Sequence, residues 1–161
     1  MASPDMPPRS PKTGSDAPFG KSRGMVFPRV VLAGHGVLDE LGATCRQFDF
    51  ANAGAVITGP KTAELAGNRA AEILRNAGFT APVLIAREAT EDEVGRVEAE
   101  VRELGVRFLV AAGGGSKIDI TKVVAHRLRI PFVSVPTSAA HAVITMRLID
   151  DAYRAAGLLP R

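Results

Sequence analysis

The sequence predicts an α/β fold: a Rossmann-like open sheet, mostly parallel, with helical crossovers. Three observations carry that prediction. From Val30 onward, short apolar or β-branched runs alternate with stretches of helical period, the pattern of strands buried on both faces between crossover helices. Glycine or proline punctuates the junctions, as it does where one element hands over to the next. Finally, three consecutive glycines, Gly113, Gly114 and Gly115, stand between an apolar run and a helical segment. Backbone without Cβ atoms can approach an anion there, at the positive end of the helix.

The elements follow in order. Val30 to Ala33 reads as the first strand, and Gly34-His35-Gly36 leads into a helix over 37–46. Ala55 to Thr58 is the second strand. The next segment, Thr58-Gly59-Pro60-Lys61-Thr62, places proline where a helix begins, and that helix runs to about Asn76 before Gly78 stops it. Val83 to Ala86 is a third strand. Thr90 then caps a helix with Glu93 at the capping-box position, and Val94, Val97, Val101 and Leu104 mark its apolar face as far as Gly105. Phe108 to Ala112 and Phe132 to Val135 are two further strands. The helix between them follows the glycines, with Ser116 and Asp119 at capping-box-like spacing. Five strands and four crossovers occupy residues 27–141, without an internal repeat.

Composition bounds the organisation and the partners. A chain of 161 residues holds one domain with a real core plus tails. Residues 1–25, with Pro4, Pro7, Pro8, Pro11 and Pro18 among polar residues and no apolar signal core, read as a disordered leader. Residues 26–141 form the domain, and residues 142–161 are a tail. The net charge of +3 is spread without a basic block, and one Tyr with no Trp offers no stacking platform, so nucleic acid is not an expected partner. No apolar run approaches the ~20 residues of a membrane span, so membrane insertion is not expected. Cys45, the single cysteine, excludes an internal disulfide and suits a reducing, cytoplasmic location.

Ligands of open α/β sheets collect at the carboxyl ends of strands near a topological switch point. The candidate loops are therefore Gly34-His35-Gly36, Thr58-Gly59-Pro60-Lys61, Gly113-Gly114-Gly115-Ser116 and the segment from Pro136 to His141. The familiar GxGxxG arrangement fails at the first of them, because Asp39 stands where the third glycine belongs. The glycine triplet is the better pyrophosphate seat. Lys122 is expected to pair with Asp119 one turn away, His126 to complement the dipole of its helix, and His35 to be a loop histidine without a ligand.

The segments GHGVLDELG, TGPKT, AAGGGSKIDITK and RIPFVSVPTSAAH, in that order, resemble the amino-terminal half of the sn-glycerol-1-phosphate dehydrogenase family. That family lies within the superfamily of iron-containing alcohol dehydrogenases, glycerol dehydrogenases and dehydroquinate synthases. The resemblance implies a dehydroquinate synthase-like amino-terminal domain and, for the family, reversible reduction of dihydroxyacetone phosphate to sn-glycerol 1-phosphate in phospholipid synthesis. NADH or NADPH is the reductant and zinc the metal. It further implies that Gly113, Gly114, Gly115, Ser116 and Lys117, with Asp119, hold the pyrophosphate, and that Thr137, Ser138, Ala139 and Ala140 line the nicotinamide side. Thr58 is either a ribose contact or a helix cap. Its turn carries Lys61 and no carboxylate, so NADP is expected to be tolerated as well as NAD.

The resemblance ends after His141, where the family's His-Asp-Gly run has Ala142 in place of aspartate. The family's zinc ligands, one aspartate and two histidines, belong to its helical second half. Here His35, His126 and His141 lie far apart in sequence, so no metal-binding and no catalytic residue is assigned. The expectation is a truncated, dehydrogenase-like chain, inactive alone and completed by another chain or by oligomerisation. Two alternatives stand beside it: a non-catalytic dinucleotide-binding module, and a relative of dehydroquinate synthase or of an iron alcohol dehydrogenase.

Overall fold

The computed structural model describes residues 30–137 and, as backbone only, the strand at 142–147. The described strands are β1 (Val30–Gly34), β2 (Gly54–Thr58), β3 (Val83–Ile85), β4 (Phe108–Gly113), β5 (Phe132–Pro136) and β6 (Ala142–Arg147). The helices are α1 (Leu41–Gln47), α2 (Pro60–Thr62), α3 (Asn68–Asn76), α4 (Glu91–Glu103) and α5 (Gly115–Leu128). A tight 3-10 turn, Val37–Glu40, precedes α1, and a wider π turn, Ala63–Gly67, joins α2 to α3. No helix among the described residues is long and apolar enough to cross a membrane.

The six strands form one sheet in the order β1-β6-β5-β4-β2-β3. Strands β2, β3, β4 and β5 are mutually parallel, while β6 runs antiparallel to both β1 and β5. The sheet therefore has one strand more than the five expected from the sequence. The added strand lies beyond His141 and pairs on one side with β5, just before it in the chain, and on the other with β1, at the opposite end of the described residues, a remote pairing that no local pattern reports.

Strands β2 and β4 are buried along their whole length, as central parallel strands should be. Their alternate residues feed two cores. Val56, Phe108, Val110 and Ala112 face a core shared with Leu41 and Cys45 of α1 and Ala70, Ala71 and Leu74 of α3. Ala55, Ile57, Leu109 and Ala111 alternate with them, and all but Ala111 join Val94, Val97 and Val101 of α4 and Ile120, Val124 and Ala125 of α5 in the second core. Phe108 anchors the first core, its ring 5.1 Å from that of Phe50 and 5.3 Å from that of Phe79. Burial also pushes the Cys45 thiol up to about 12, which leaves it a protonated, apolar filler.

Helix boundaries follow local chemistry, with two corrections to expectation. Thr90 caps α4 by accepting the Glu93 N–H at 3.2 Å, a bond worth about 1 kcal/mol. Leu104, expected on the apolar face, is the residue that caps the other end of α4, and it is 48% exposed. The buried stripe of α4 ends one turn earlier, at Val101. At α5 the residue at the cap is Gly114, in an extended conformation and without a side-chain hydrogen bond. Ser116 lies inside the first turn, so the expected box with Asp119 does not form. Asp119 pairs instead with Lys122 at 3.6 Å, on an exposed surface, as the spacing anticipated.

Candidate functional site

The crossover that leaves β2 packs α3 against one face of the sheet, while the crossover that leaves β4 packs α5 against the other. Since β2 and β4 are neighbours with Thr58 opposite Ala112, their carboxyl ends open a crevice between departing loops. This is a topological switch point, where open α/β sheets hold ligands.

A cleft of about 390 Å³ occupies that crevice. One wall is Gly59, Pro60, Lys61 and Thr62, and the other is Gly114, Gly115, Ser116 and Lys117. The sequence separates these loops by half a hundred residues; parallel pairing of β2 and β4 brings them together. Proline at the first position of α2 suits a turn whose N–H groups have no intrahelical acceptor. The Thr62 hydroxyl closes that turn, accepting the Gly59 N–H at 2.9 Å and lying 2.9 Å from the Thr58 hydroxyl.

The opposite wall is built to be approached. A Cβ added at Gly114 or at Gly115 would meet nothing within 4 Å, so the space in front of both is open. Lys117 N–H, at 3.0 Å, and Ile118 N–H, at 3.2 Å, turn back to the Gly114 carbonyl. The Gly115 and Ser116 N–H groups lie ahead of the first intrahelical bond and carry the positive end of the helix dipole. Gly113 is different: it is buried, its carbonyl accepts the Thr137 N–H at 3.2 Å, and a Cβ there would lie 3.0 Å from Lys117 Cγ. It supports the seat rather than lining it.

Lys117 is the cation of the site. Its stem lies across Gly59, where a Cβ would come within 2.7 Å of Lys117 Cε. Its ammonium donates to the Arg87 carbonyl and to Ser116 Oγ at 3.2 Å. Both acceptors are neutral, and an ammonium has three donors. One donor and the full charge therefore remain for a ligand. The lining contains Lys61 and Lys117 and no carboxylate, so the cleft favours anions.

The other sequence-derived site residues fall in three places. Thr58 is fully buried, and its hydroxyl is engaged with Thr62; the cap of α2 is Gly59. Asp119 is exposed, in the ion pair with Lys122, and does not line the cleft. Thr137 is half-buried at the end of β5, next to Gly113, whereas Ser138, Ala139, Ala140 and His141 lie outside the described residues. His126 sits exposed in the last turn of α5, and His35 is exposed in the loop after β1. Thr62 and the Arg87 carbonyl were not anticipated. The TGPKT segment signals the first, since threonine three residues after the cap is a capping position; no local pattern signals the second.

A larger cleft, about 440 Å³, lies between α1 and α3. Its arginines are committed to structure. Arg46 Nε donates to the Ala77 carbonyl at 2.7 Å, and Arg69 pairs with Asp39 at 3.2 Å and Glu72 at 2.9 Å. It lies away from the strand ends.

Residues 32–149 match the family model of iron-containing alcohol dehydrogenases. The chain belongs to that family. The match runs past His141, where the sequence alone placed the end of the resemblance, and it includes β6. Among curated relatives, the glycerol-1-phosphate dehydrogenase [NAD(P)+] of Methanosarcina acetivorans is 41% identical over 117 residues, covering 73% of this chain and 33% of the relative. Its counterpart in Pyrococcus furiosus is 40% identical over 117 residues, with 73% and 34% covered. The chain thus spans about a third of the length of the curated relatives it matches. Among solved structures, maleylacetate reductase from Rhizobium sp. strain MTP-10005 is similar with a TM-score of 0.60 and 25% identity, over 71% of this chain and 32% of that one. Glycerol dehydrogenase from Schizosaccharomyces pombe shares the fold, with a TM-score of 0.57 at 19% identity over 63% of this chain and 26% of that one. The Rossmann-like, dehydroquinate synthase-like architecture expected from the sequence is the one that this family adopts.

Among the described residues, no three His, Cys, Asp or Glu side chains converge as metal ligands. The described residues do not fit a zinc site. A dinucleotide fits better, given the open glycine wall and the two lysines.

Proposed function

We propose that this chain is the dinucleotide-binding portion of a glycerol-1-phosphate dehydrogenase-type oxidoreductase. Its cleft between the ends of β2 and β4 takes the pyrophosphate of NAD(H) or NADP(H). The observation that carries the reading is the pairing of an open glycine wall with Lys117, a cation whose only partners among the described residues are neutral oxygens.

The residues have separate tasks. The Gly115 and Ser116 N–H groups donate to pyrophosphate oxygens, the helix end favours their charge, and the Lys117 ammonium supplies a third donor with a full positive charge. Thr62 fixes the Gly59–Lys61 wall. Lys61, exposed beside it with no carboxylate in the lining, leaves room and charge for a 2′-phosphate, so NADP(H) is accepted with NAD(H). The nicotinamide side is assigned to Thr137, at the end of β5, and by the family resemblance to Ser138, Ala139 and Ala140, which lie outside the described residues. When bound, the nicotinamide supplies the hydride for reversible reduction of dihydroxyacetone phosphate to sn-glycerol 1-phosphate, the backbone of a phospholipid. The metal-binding groups come from outside the described residues, through a further segment, a complementing chain or an oligomeric partner. A lone buried thiol at Cys45 suits a cytoplasmic protein.

Calorimetric titration of the protein with NADPH, NADH, NADP+ and NAD+ tests the reading. Saturable binding of both cofactor types, with NADPH no weaker than NADH within about tenfold, is the expected result. Absence of binding to all four would overturn it. Catalytic reduction of dihydroxyacetone phosphate is not expected of the described residues by themselves, which bring no three metal-ligating side chains together.

A further inference from the structure

The loop after β3 does not line the cleft, yet it is tied to it. Residue 87 is held on both sides of its backbone. The Arg87 N–H donates to Glu93 Oε1 at 2.8 Å, and the Arg87 carbonyl accepts from the Lys117 ammonium. Glu93 is itself clamped. It sits in the first turn of α4 with its side chain 11% exposed, and Arg96 grips both of its oxygens, Nε to Oε2 at 3.0 Å and NH2 to Oε1 at 2.7 Å. Arg96 also donates to the Ile85 carbonyl at 2.8 Å and to Glu100 at 3.0 Å. A continuous path of hydrogen bonds therefore runs from α4, through the backbone of residue 87, to the one lysine that touches both walls of the cleft.

Such a path is more than Glu93 needs for stability. A glutamate at the third helical position ordinarily reaches back to the N–H of its own cap residue. Here it does not: the Thr90 N–H goes to the Glu88 carbonyl at 2.9 Å, and the Glu93 carboxylate is directed to residue 87 instead. An ammonium at the end of four rotatable bonds carries a large entropy of placement. Fixing the carbonyl that it binds removes part of that cost before any ligand arrives.

We infer that Glu93 is a positioning residue for the pyrophosphate-binding Lys117, acting through the backbone of Arg87, an inference that rests on the proposed dinucleotide site. It touches no ligand itself. The clamp persists over the working range of pH, because the Arg96 guanidinium beside Glu93 holds its carboxyl down to about 2.

A double-mutant cycle read by calorimetry with ADP, which carries the pyrophosphate without the nicotinamide, tests this. Glu93→Ala removes the acceptor for the Arg87 N–H and is expected to weaken ADP binding by roughly fivefold to tenfold, a normal coupling within one network. Glu93→Gln keeps an oxygen for that N–H but loses the ion pair, so its affinity should fall between those of the parent and Glu93→Ala. In a Lys117→Met background both penalties should vanish, since the side chain being positioned is gone. Parental affinity in Glu93→Ala would overturn the inference, or in Glu93→Gln if the alanine variant does not fold. So would a penalty that survives undiminished beside Lys117→Met, or a Lys117→Met protein that binds ADP as well as the parent. If the parent binds neither ADP nor NADPH, the dinucleotide site falls and this inference with it; if Lys117→Met weakens ADP and the Glu93 variants do not, only this inference falls.

Discussion

Replacing Gly114 with valine separates folding from binding at the seat. Gly114 caps α5 with φ −78° and ψ 179°, an extended conformation that a β-branched residue adopts without strain. A Cβ there meets nothing within 4 Å, so no packing is disturbed. Valine is a poorer cap than glycine, and the expected cost to stability is on the order of 1 kcal/mol, or a few degrees in Tm. The cost to binding is larger. The added methyl groups stand in the open space ahead of the Gly115 and Ser116 N–H groups, each of which would give a charged phosphate a bond worth about 1.5–3 kcal/mol. Losing both corresponds to at least a hundredfold rise in Kd for NADPH. Calorimetry with NADPH measures the second effect, and thermal unfolding followed by circular dichroism measures the first. A folded Gly114→Val protein with parental affinity would refute the assignment of the pyrophosphate to this wall.

Two further perturbations test the fold around the site. A Cβ at Gly54 would lie 2.3, 2.6 and 2.9 Å from ring atoms of Phe108, and that ring is hemmed in by Phe50 and Phe79. Gly54→Ala should therefore destabilise by about 2–3 kcal/mol through overpacking, read as a lower urea midpoint, and an unchanged midpoint would show that the ring can move aside. In acid, Glu93 contributes stability because its carboxyl is held at about 2 against an ordinary 4.5. The contribution is complete above pH 4.5 and is lost as the pH falls toward 2. It amounts to about 1–3 kcal/mol once solvent screening at the half-exposed Arg96 is allowed for. The Glu93→Gln protein should accordingly show a flatter loss of stability between pH 5 and pH 2 than the parent, and parallel curves would count against the ion pair.

Much of this arrangement was legible in the residues, for identifiable reasons. Strands such as Phe108–Gly113 are continuous apolar runs because both of their faces are covered, and the triple glycine after β4 is a local signal of close approach. Thr90 capping α4 is equally local. What could not be read were facts that depend on remote partners. Strand β6 pairs not only with its chain neighbour β5 but with the remote β1, and the Arg87 carbonyl enters the site only because β3, β2 and β4 lie side by side. Spacing alone also misleads where glycine competes for a cap. Ser116 and Asp119 have the right separation for a box, yet the chain turns into the helix two residues earlier, at Gly114.

The placement of β6 has a consequence for how the molecule is assembled. Among the described strands, β1 pairs with β6 alone, Val30 lying opposite Met146. The earliest described strand therefore depends on the latest. The parallel core from β2 to β5 can form from crossovers between near neighbours in the chain, whereas the β1 edge closes only after a loop spanning nearly the whole domain has been drawn together, the costliest closure in the sheet. Until β6 has folded back beside β5, the edge of β1 has no strand partner among the described residues. Closing that edge is separate from forming the cleft between the ends of β2 and β4, which is built without either strand.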